Sequence, residues 1–148
     1  MSGGRPTTAA NRSANCDRES PASPASVATV HGRSGWLAAL REPQLARAVA
    51  LIHRQPERPW TVATLAAEAG MSRSHFAERF AAVLGRPPLA YLAEWRLHVA
   101  RVLLRRGTLR VHEVARRVGY GSEAAFSTAF RRAAGVAPGA YRRAAVAG

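Results

Sequence analysis

The chain has 148 residues and a hydrophobic content of 47%, which suffices for one packed domain of ordinary size. Its 22 basic residues are all arginines and stand against 9 acidic residues, so the net charge of +13 predicts a polyanionic partner. The single cysteine, Cys16, excludes an internal disulfide and a multi-cysteine metal site, and no apolar run approaches the roughly 18 residues of a membrane span.

Residues 1–33 are rich in Ser, Pro and Ala and contain only isolated aliphatic side chains. Such a segment cannot bury enough apolar surface to offset the entropy of ordering, so we predict a disordered tail. From Pro43 onward apolar residues recur at helical spacing, and no segment shows a sustained period of two. We therefore predict an all-α domain over residues 43–144, with about seven helices.

The first three predicted helices have clear start and stop signals. Pro43 opens the first, Thr61 is placed to cap the second, and Ser72 is placed to cap the third. Gly70 ends the second helix and Gly85 the third. The apolar residues expected to face inward are Leu45, Ala48, Val49 and Ile52, then Val62, Leu65, Ala66 and Ala69, then Phe76, Phe80 and Val83.

The longest predicted helix covers residues 88–106 and links this first part of the domain to a second part. A short apolar stripe begins at Val111, and Ser122 opens a further helix that ends near Gly135. The expected inward residues of the long helix are Leu89, Leu92, Ala93, Leu97, Ala100, Leu103 and Leu104.

The two parts are copies of one unit. Ten positions agree in type and eight in identity, at an offset of 49 before the turn and 50 after it, in the segments 62–91 and 111–141. Each copy is a short helix, a turn opened by glycine and a second helix with two phenylalanines four residues apart. This is the pattern of a DNA-binding helix-turn-helix. It predicts two such subdomains, at about 43–87 and 107–144, joined by the linker helix 88–106.

A linker of 19 residues would be about 28 Å long, and one turn of DNA is about 34 Å. The second helix of each unit, at 72–83 and 122–134, could therefore enter successive major grooves. We expect sequence-specific binding to double-stranded DNA over a site of about two helical turns, by a monomer, in the cytoplasm and without a cofactor.

The sequence also resembles a known family. The segments "RPWTVATLAAEAGMSRSHFAERFAAVLGRPPLAYLAEWRLHVARVLL" and "VHEVARRVGYGSEAAFSTAFRRAAGVAPGAYRR" are similar to the DNA-binding domain of AraC/XylS transcription regulators over residues 43–143. The resemblance implies a regulator of transcription, with RNA polymerase as a further partner. Residues 34–42, "SGWLAALRE", resemble the linker to an effector-binding barrel in some members. That barrel is missing here, so a stand-alone regulator, a truncated one and a fragment of a longer gene all stay open.

A helical wheel with Phe76 pointing inward identifies the positions expected to face DNA bases, and the family's recognition positions match them. Arg131 could contact guanine and Glu78 could accept from cytosine, although a locally paired surface charge is an alternative for Glu78. The base-facing set is Ser74, Ala77, Glu78, Ala81, Ala124, Ser127, Thr128 and Arg131. The set expected to contact phosphate, with a solvated surface role as the alternative, is Arg73, Arg79, Arg117 and Arg132.

Other function classes fit less well. We predict that the chain is not an enzyme, because it has no nucleophile with a base, no paired carboxylates and no phosphate-binding glycine loop. A membrane-active cationic helix would have no use for paired glycine turns. RNA binding is disfavoured by the deep, narrow groove of A-form helices. The alternatives that stay open are a DNA-binding arm of a transposase or recombinase and a cationic helical protein without sequence preference.

Overall fold

A computed structural model describes residues 37–148, so the predicted tail 1–33 and the first linker residues, 34–36, lie outside the described residues. The described part is all helical, as predicted, with a helical turn at 37–39 followed by seven longer helices. These are α1 (Pro43–Arg54), α2 (Val62–Ala69), α3 (Arg73–Leu84), α4 (Pro88–Arg106), α5 (Val111–Arg117), α6 (Glu123–Ala134) and α7 (Pro138–Ala147).

The start of α2 is built as the local sequence predicts. The Thr61 hydroxyl accepts a hydrogen bond from the Thr64 amide at 3.1 Å, and the Thr64 hydroxyl accepts one from the Thr61 amide at 2.9 Å. The flanking residues Trp60 and Leu65 are both buried. This reciprocal capping satisfies amides that no helical carbonyl can reach.

Serine caps open both predicted DNA-reading helices. The hydroxyl oxygen of Ser72 accepts from the His75 amide at 3.3 Å, and that of Ser122 accepts from the Ala125 amide at 3.1 Å. Each helix therefore begins one residue after its serine. The first also extends to Leu84, which is 4% exposed, whereas the residue before it, predicted to face inward, is only partly buried.

Helix α4 has the predicted bounds and contacts α1, α3, α5, α6 and α7, so the core of both units forms around it. The buried residues of α4 do not form a single stripe, because other helices pack against more than one side of α4. Val99, absent from the predicted inward set, is buried. Leu89 is 44% exposed and Ala93 is also exposed, so the prediction was wrong for these two positions.

The middle of α4 carries a half-buried histidine. The ring of His98 stacks on Trp95 with 5.1 Å between centroids, and neither His98 Nε2 nor Trp95 Nε1 has a hydrogen-bond partner in the described chain. Burial, and then the nearby charges of Arg105 and Arg101, lower the pKa of His98 below its usual value. The neutral ring is therefore the form that suits the fold.

We expect acidification to destabilise the domain through His98. A histidine whose pKa is lowered by folding is neutral in the native state and takes up a proton on unfolding, so stability falls as the pH drops below about 6.5. His98→Phe preserves the ring stacking and removes the titration. Thermal unfolding between pH 7.5 and 5.5 should show a smaller fall in Tm for the variant than for the wild type; equal falls would assign the pH dependence to other groups.

Among the helices of residues 37–148, none combines the length and the hydrophobicity that a membrane span requires.

Candidate DNA interface

The two predicted reading helices, α3 and α6, are anchored in the same way. On α3, Phe76 and Phe80 have ring centroids 5.5 Å apart, and Phe80 meets Tyr91 of α4 edge-on at 5.5 Å. The matching rings of α6, Phe126 and Phe130, are 5.6 Å apart, and Phe130 meets Tyr141 of α7 edge-on at 5.3 Å. The repeat seen in the sequence is thus a repeat of packing, and it turns equivalent helix faces outward.

The predicted base-facing residues lie on these outward faces. Five of the eight are exposed, and the three small residues at the edge of the faces are partly buried. The exposed ones are Ser74, Glu78, Ala124, Thr128 and Arg131, and the partly buried ones are Ala77, Ala81 and Ser127. The two faces differ in charge, since α3 presents the carboxylate of Glu78 and α6 presents the guanidinium of Arg131.

The hydroxyl group of Thr128 is engaged within its own helix. It donates to the carbonyl oxygen of Ala124 at 3.0 Å. The donor is therefore used, and the face keeps the oxygen lone pairs and the methyl group of Thr128 for an outside partner. Such a group can accept from an exposed amino group of cytosine or adenine, or pack on the methyl group of thymine.

The four arginines predicted to contact phosphate are all exposed, but one of them is paired within the chain. Arg79 on α3 forms a two-pronged ion pair with Glu42, with 2.9 Å between Arg79 Nε and Glu42 Oε2 and a second, shorter contact from the other guanidinium nitrogen. Glu42 precedes α1, so this ion pair joins the segment before the domain to the first reading helix. The hydrogen bond from Arg79 also lowers the pKa of the Glu42 carboxyl.

Replacement of Glu42 by glutamine is expected to tighten DNA binding on every sequence. Without the carboxylate, Arg79 is available to a phosphate, and each added phosphate contact steepens the plot of log affinity against log salt by about 0.9. The gain at 0.1 M salt would reach about eightfold. Titrations of wild type and Glu42→Gln with one duplex at several salt concentrations measure both quantities.

Arg79→Gln supplies the matched control for this ion pair. Because Arg79 is already engaged by Glu42 in the wild type, Arg79→Gln should leave the salt slope nearly unchanged, and Glu42→Gln should no longer steepen that slope once Arg79 is replaced. An unchanged salt slope in Glu42→Gln would show that Arg79 only holds the start of α1 in place.

Long-range polar contacts of this kind had no signal in the sequence. Glu42 and Arg79 are separated by 37 residues, and Arg96 of α4 donates to the Pro56 carbonyl 40 residues earlier. Local spacing identifies partners within one or two helical turns only. The candidate site residues were predicted from helical periodicity, whereas these long-range partners could be identified only in the folded chain.

Two equivalent helix-turn-helix units, each presenting a capped and outwardly exposed second helix, define a double helix-turn-helix protein. A family profile described as "Helix-turn-helix domain" matches residues 65–144. Among curated proteins, the chain is 50% identical over 113 residues to a Streptomyces lividans protein described as an AraC-like transcription regulator, covering 76% of this chain and 37% of that protein. It is 44% identical over 117 residues to the transcriptional regulator AlkR of Acinetobacter baylyi, covering 79% and 38%.

A solved structure of the DNA-binding domain of AdpA in complex with a target DNA is also similar, with a TM-score of 0.64 and 38% identity. The match covers 70% of this chain and 92% of that domain. The chain belongs to the AraC-type family of helix-turn-helix transcription regulators, as the sequence motifs predicted. The prediction that the chain is not an enzyme agrees with its membership of this family of DNA-binding regulators. The chain spans less than two fifths of the length of these two curated relatives.

Proposed function

We propose that this chain binds a specific double-stranded DNA site and regulates transcription, with α3 and α6 inserted into two successive major grooves on one face of the duplex. The observation that carries the proposal is the equivalent anchoring of the two helices. Each helix is held by its own, equivalent set of two phenylalanine rings and one tyrosine ring. The opposite face of each helix carries exposed residues. The AdpA domain, which is similar over most of its length, was solved with its target DNA.

The two helices would read different bases. Arg131 on α6 can donate two hydrogen bonds to guanine, whereas Glu78 on α3 can only accept, as from the amino group of cytosine. Thr128, with its donor engaged by Ala124, adds an acceptor and a methyl group. We therefore expect an asymmetric site whose α6 block contains a guanine contacted by Arg131.

The remaining arginines would position the protein without reading sequence. Arg73, Arg117 and Arg132 are exposed and flank the reading faces, where they can contact phosphate. Because one chain carries both reading helices, we propose that it binds DNA as a monomer. We place this activity in the cytoplasm. RNA polymerase is the further partner that regulation of a promoter would require.

An in vitro selection from a randomised duplex library, repeated at two salt concentrations, tests the proposal. Enrichment of one site with two short blocks about ten base pairs apart, centre to centre, is the expected result. Salt-sensitive binding without an enriched site would refute sequence-specific recognition and leave a cationic helical protein. Sedimentation of the complex measures its stoichiometry, and two chains per site would contradict binding as a monomer.

A further inference from the structure

The two units touch each other at a contact that includes Arg96 of α4. The Arg96 guanidinium donates through Nε to the Pro56 carbonyl at 2.7 Å and through a terminal nitrogen to the Arg58 carbonyl at 2.9 Å. Both carbonyls belong to the loop between α1 and α2, in the first unit. Burial lowers the pKa of Arg96 from its usual value, while the nearby Tyr120 and Glu57 oppose that shift.

The loop whose carbonyls accept hydrogen bonds from Arg96 is held in place by its own internal contacts. The indole nitrogen of Trp60 donates to the Gln55 carbonyl at 2.9 Å, and Trp60 is 5% exposed. The guanidinium of Arg58 lies over the Trp60 ring at 4.3 Å from its centroid. The Arg58 and Trp60 amides close two further turns, onto the Gln55 and Arg58 carbonyls. Arg96 is therefore held by fixed acceptors instead of a mobile loop.

The second unit contacts the same loop through Gly119, in the turn between α5 and α6. A Cβ atom at Gly119 would lie 2.9 Å from the Cα of Glu57 and 3.0 Å from the Arg96 guanidinium carbon. The backbone of the second turn thus lies directly against the backbone of the first unit's loop. We call this contact, made by Pro56, Glu57, Arg58, Arg96 and Gly119, the inter-unit joint.

The relation between the two reading helices depends first on α4, which packs against both α3 and α6. A helix of 19 residues is about 28 Å long, and long helices bend gently. A small rotation about such a linker would move α6 along or out of its groove. The inter-unit joint adds a second connection away from the helix axis, and it opposes that rotation.

We propose that Arg96 is a positioning residue that sets the spacing and the angle between α3 and α6, and so the number of base pairs between the two blocks of the DNA site. The proposal rests on the proposed function for its DNA consequence. Its structural part concerns the free protein alone. Arg96 touches no base in this scheme and acts through the placement of the second unit.

The first test needs no DNA. In a Cys16→Ser background, Ser74→Cys and Ala124→Cys place spin labels at equivalent exposed positions of the two reading helices, and pulsed electron paramagnetic resonance measures their distance distribution. Arg96→Met, which removes both donors and keeps the apolar stem, should broaden or shift the distribution. Arg105→Met removes an exposed arginine of the same helix and should leave it unchanged. Superimposable distributions for the wild type and Arg96→Met would overturn the proposal.

The second test uses the selected site with one or two base pairs added or removed between its blocks. The wild type should bind only the original spacing tightly. Arg96→Met should bind that spacing about tenfold more weakly and lose most of the discrimination against the others. Arg105→Met should lower affinity by the same factor at every spacing. An Arg96→Met protein that keeps the wild-type spacing preference would also overturn the proposal.

Folding and the proposed function are checked separately. Far-ultraviolet circular dichroism and thermal unfolding report whether Arg96→Met is folded. If it is not, Arg96→Lys, which keeps the charge and loses the two-pronged geometry, takes its place in both tests. If the wild type selects no DNA site, the proposed function fails, and the label distances still decide whether Arg96 orders the two units.

Discussion

Replacing Gly119 with alanine should lower the free energy of unfolding by about 2–5 kcal/mol. Two effects add at this position. Gly119 has φ of +95°, a region that side chains other than glycine adopt at a penalty of roughly 1–2 kcal/mol. The new Cβ would also stand 2.9 Å from the Cα of Glu57, which is backbone and cannot turn aside. Urea denaturation followed by circular dichroism measures the change.

Gly70 is the control that separates the two effects. It occupies the equivalent place in the first unit, with φ of +69°, and a Cβ there would meet only the Gln44 side chain at an ordinary 3.9 Å. Gly70→Ala should therefore show the backbone penalty alone, about 1–2 kcal/mol. Equal losses in the two variants would mean that the second turn does not press on the loop of the first unit.

Replacement of Arg131 by alanine should weaken binding to the preferred site by about 1–3 kcal/mol and relax the base preference in the α6 block. The exposed guanidinium is the strongest hydrogen-bond donor on the two outward faces, so its loss removes a contact that distinguishes guanine from other bases. Competition binding with single-base variants of the selected site measures the effect position by position. Preferences in the α3 block should be unchanged.

Arg73→Ala is the matched substitution on the other reading helix. Arg73 is the first residue of α3 and is placed to contact phosphate, so its loss should weaken all sequences alike and reduce the salt slope by about one. The expected contrast is between a change of specificity and a change of general affinity. The same behaviour in both variants would contradict the division into base-reading and phosphate-contacting arginines.

Local patterns predicted most of the architecture of the described chain. The serine caps at Ser72 and Ser122, the bounds of the linker helix and the two-fold repeat depend on residues a few positions apart, and all are present in the structure. The inward face of α4 was less well predicted. Leu89 is exposed and Val99 is buried because neighbours from both units, rather than one helical stripe, decide which side is covered.

The amino-acid sequence by itself determined that this chain is a pair of helix-turn-helix units with outward-facing second helices. Helical period, capping and glycine turns are properties of neighbouring residues, and the repeat doubled their signal. Only the tertiary structure decided which member of a repeated pair makes a contact that its counterpart lacks. Gly70 and Gly119 are equivalent in sequence, yet Gly119 alone lies against the other unit. Arg79 and Arg96 found their partners 37 and 40 residues away, because folding joins segments that no local pattern connects.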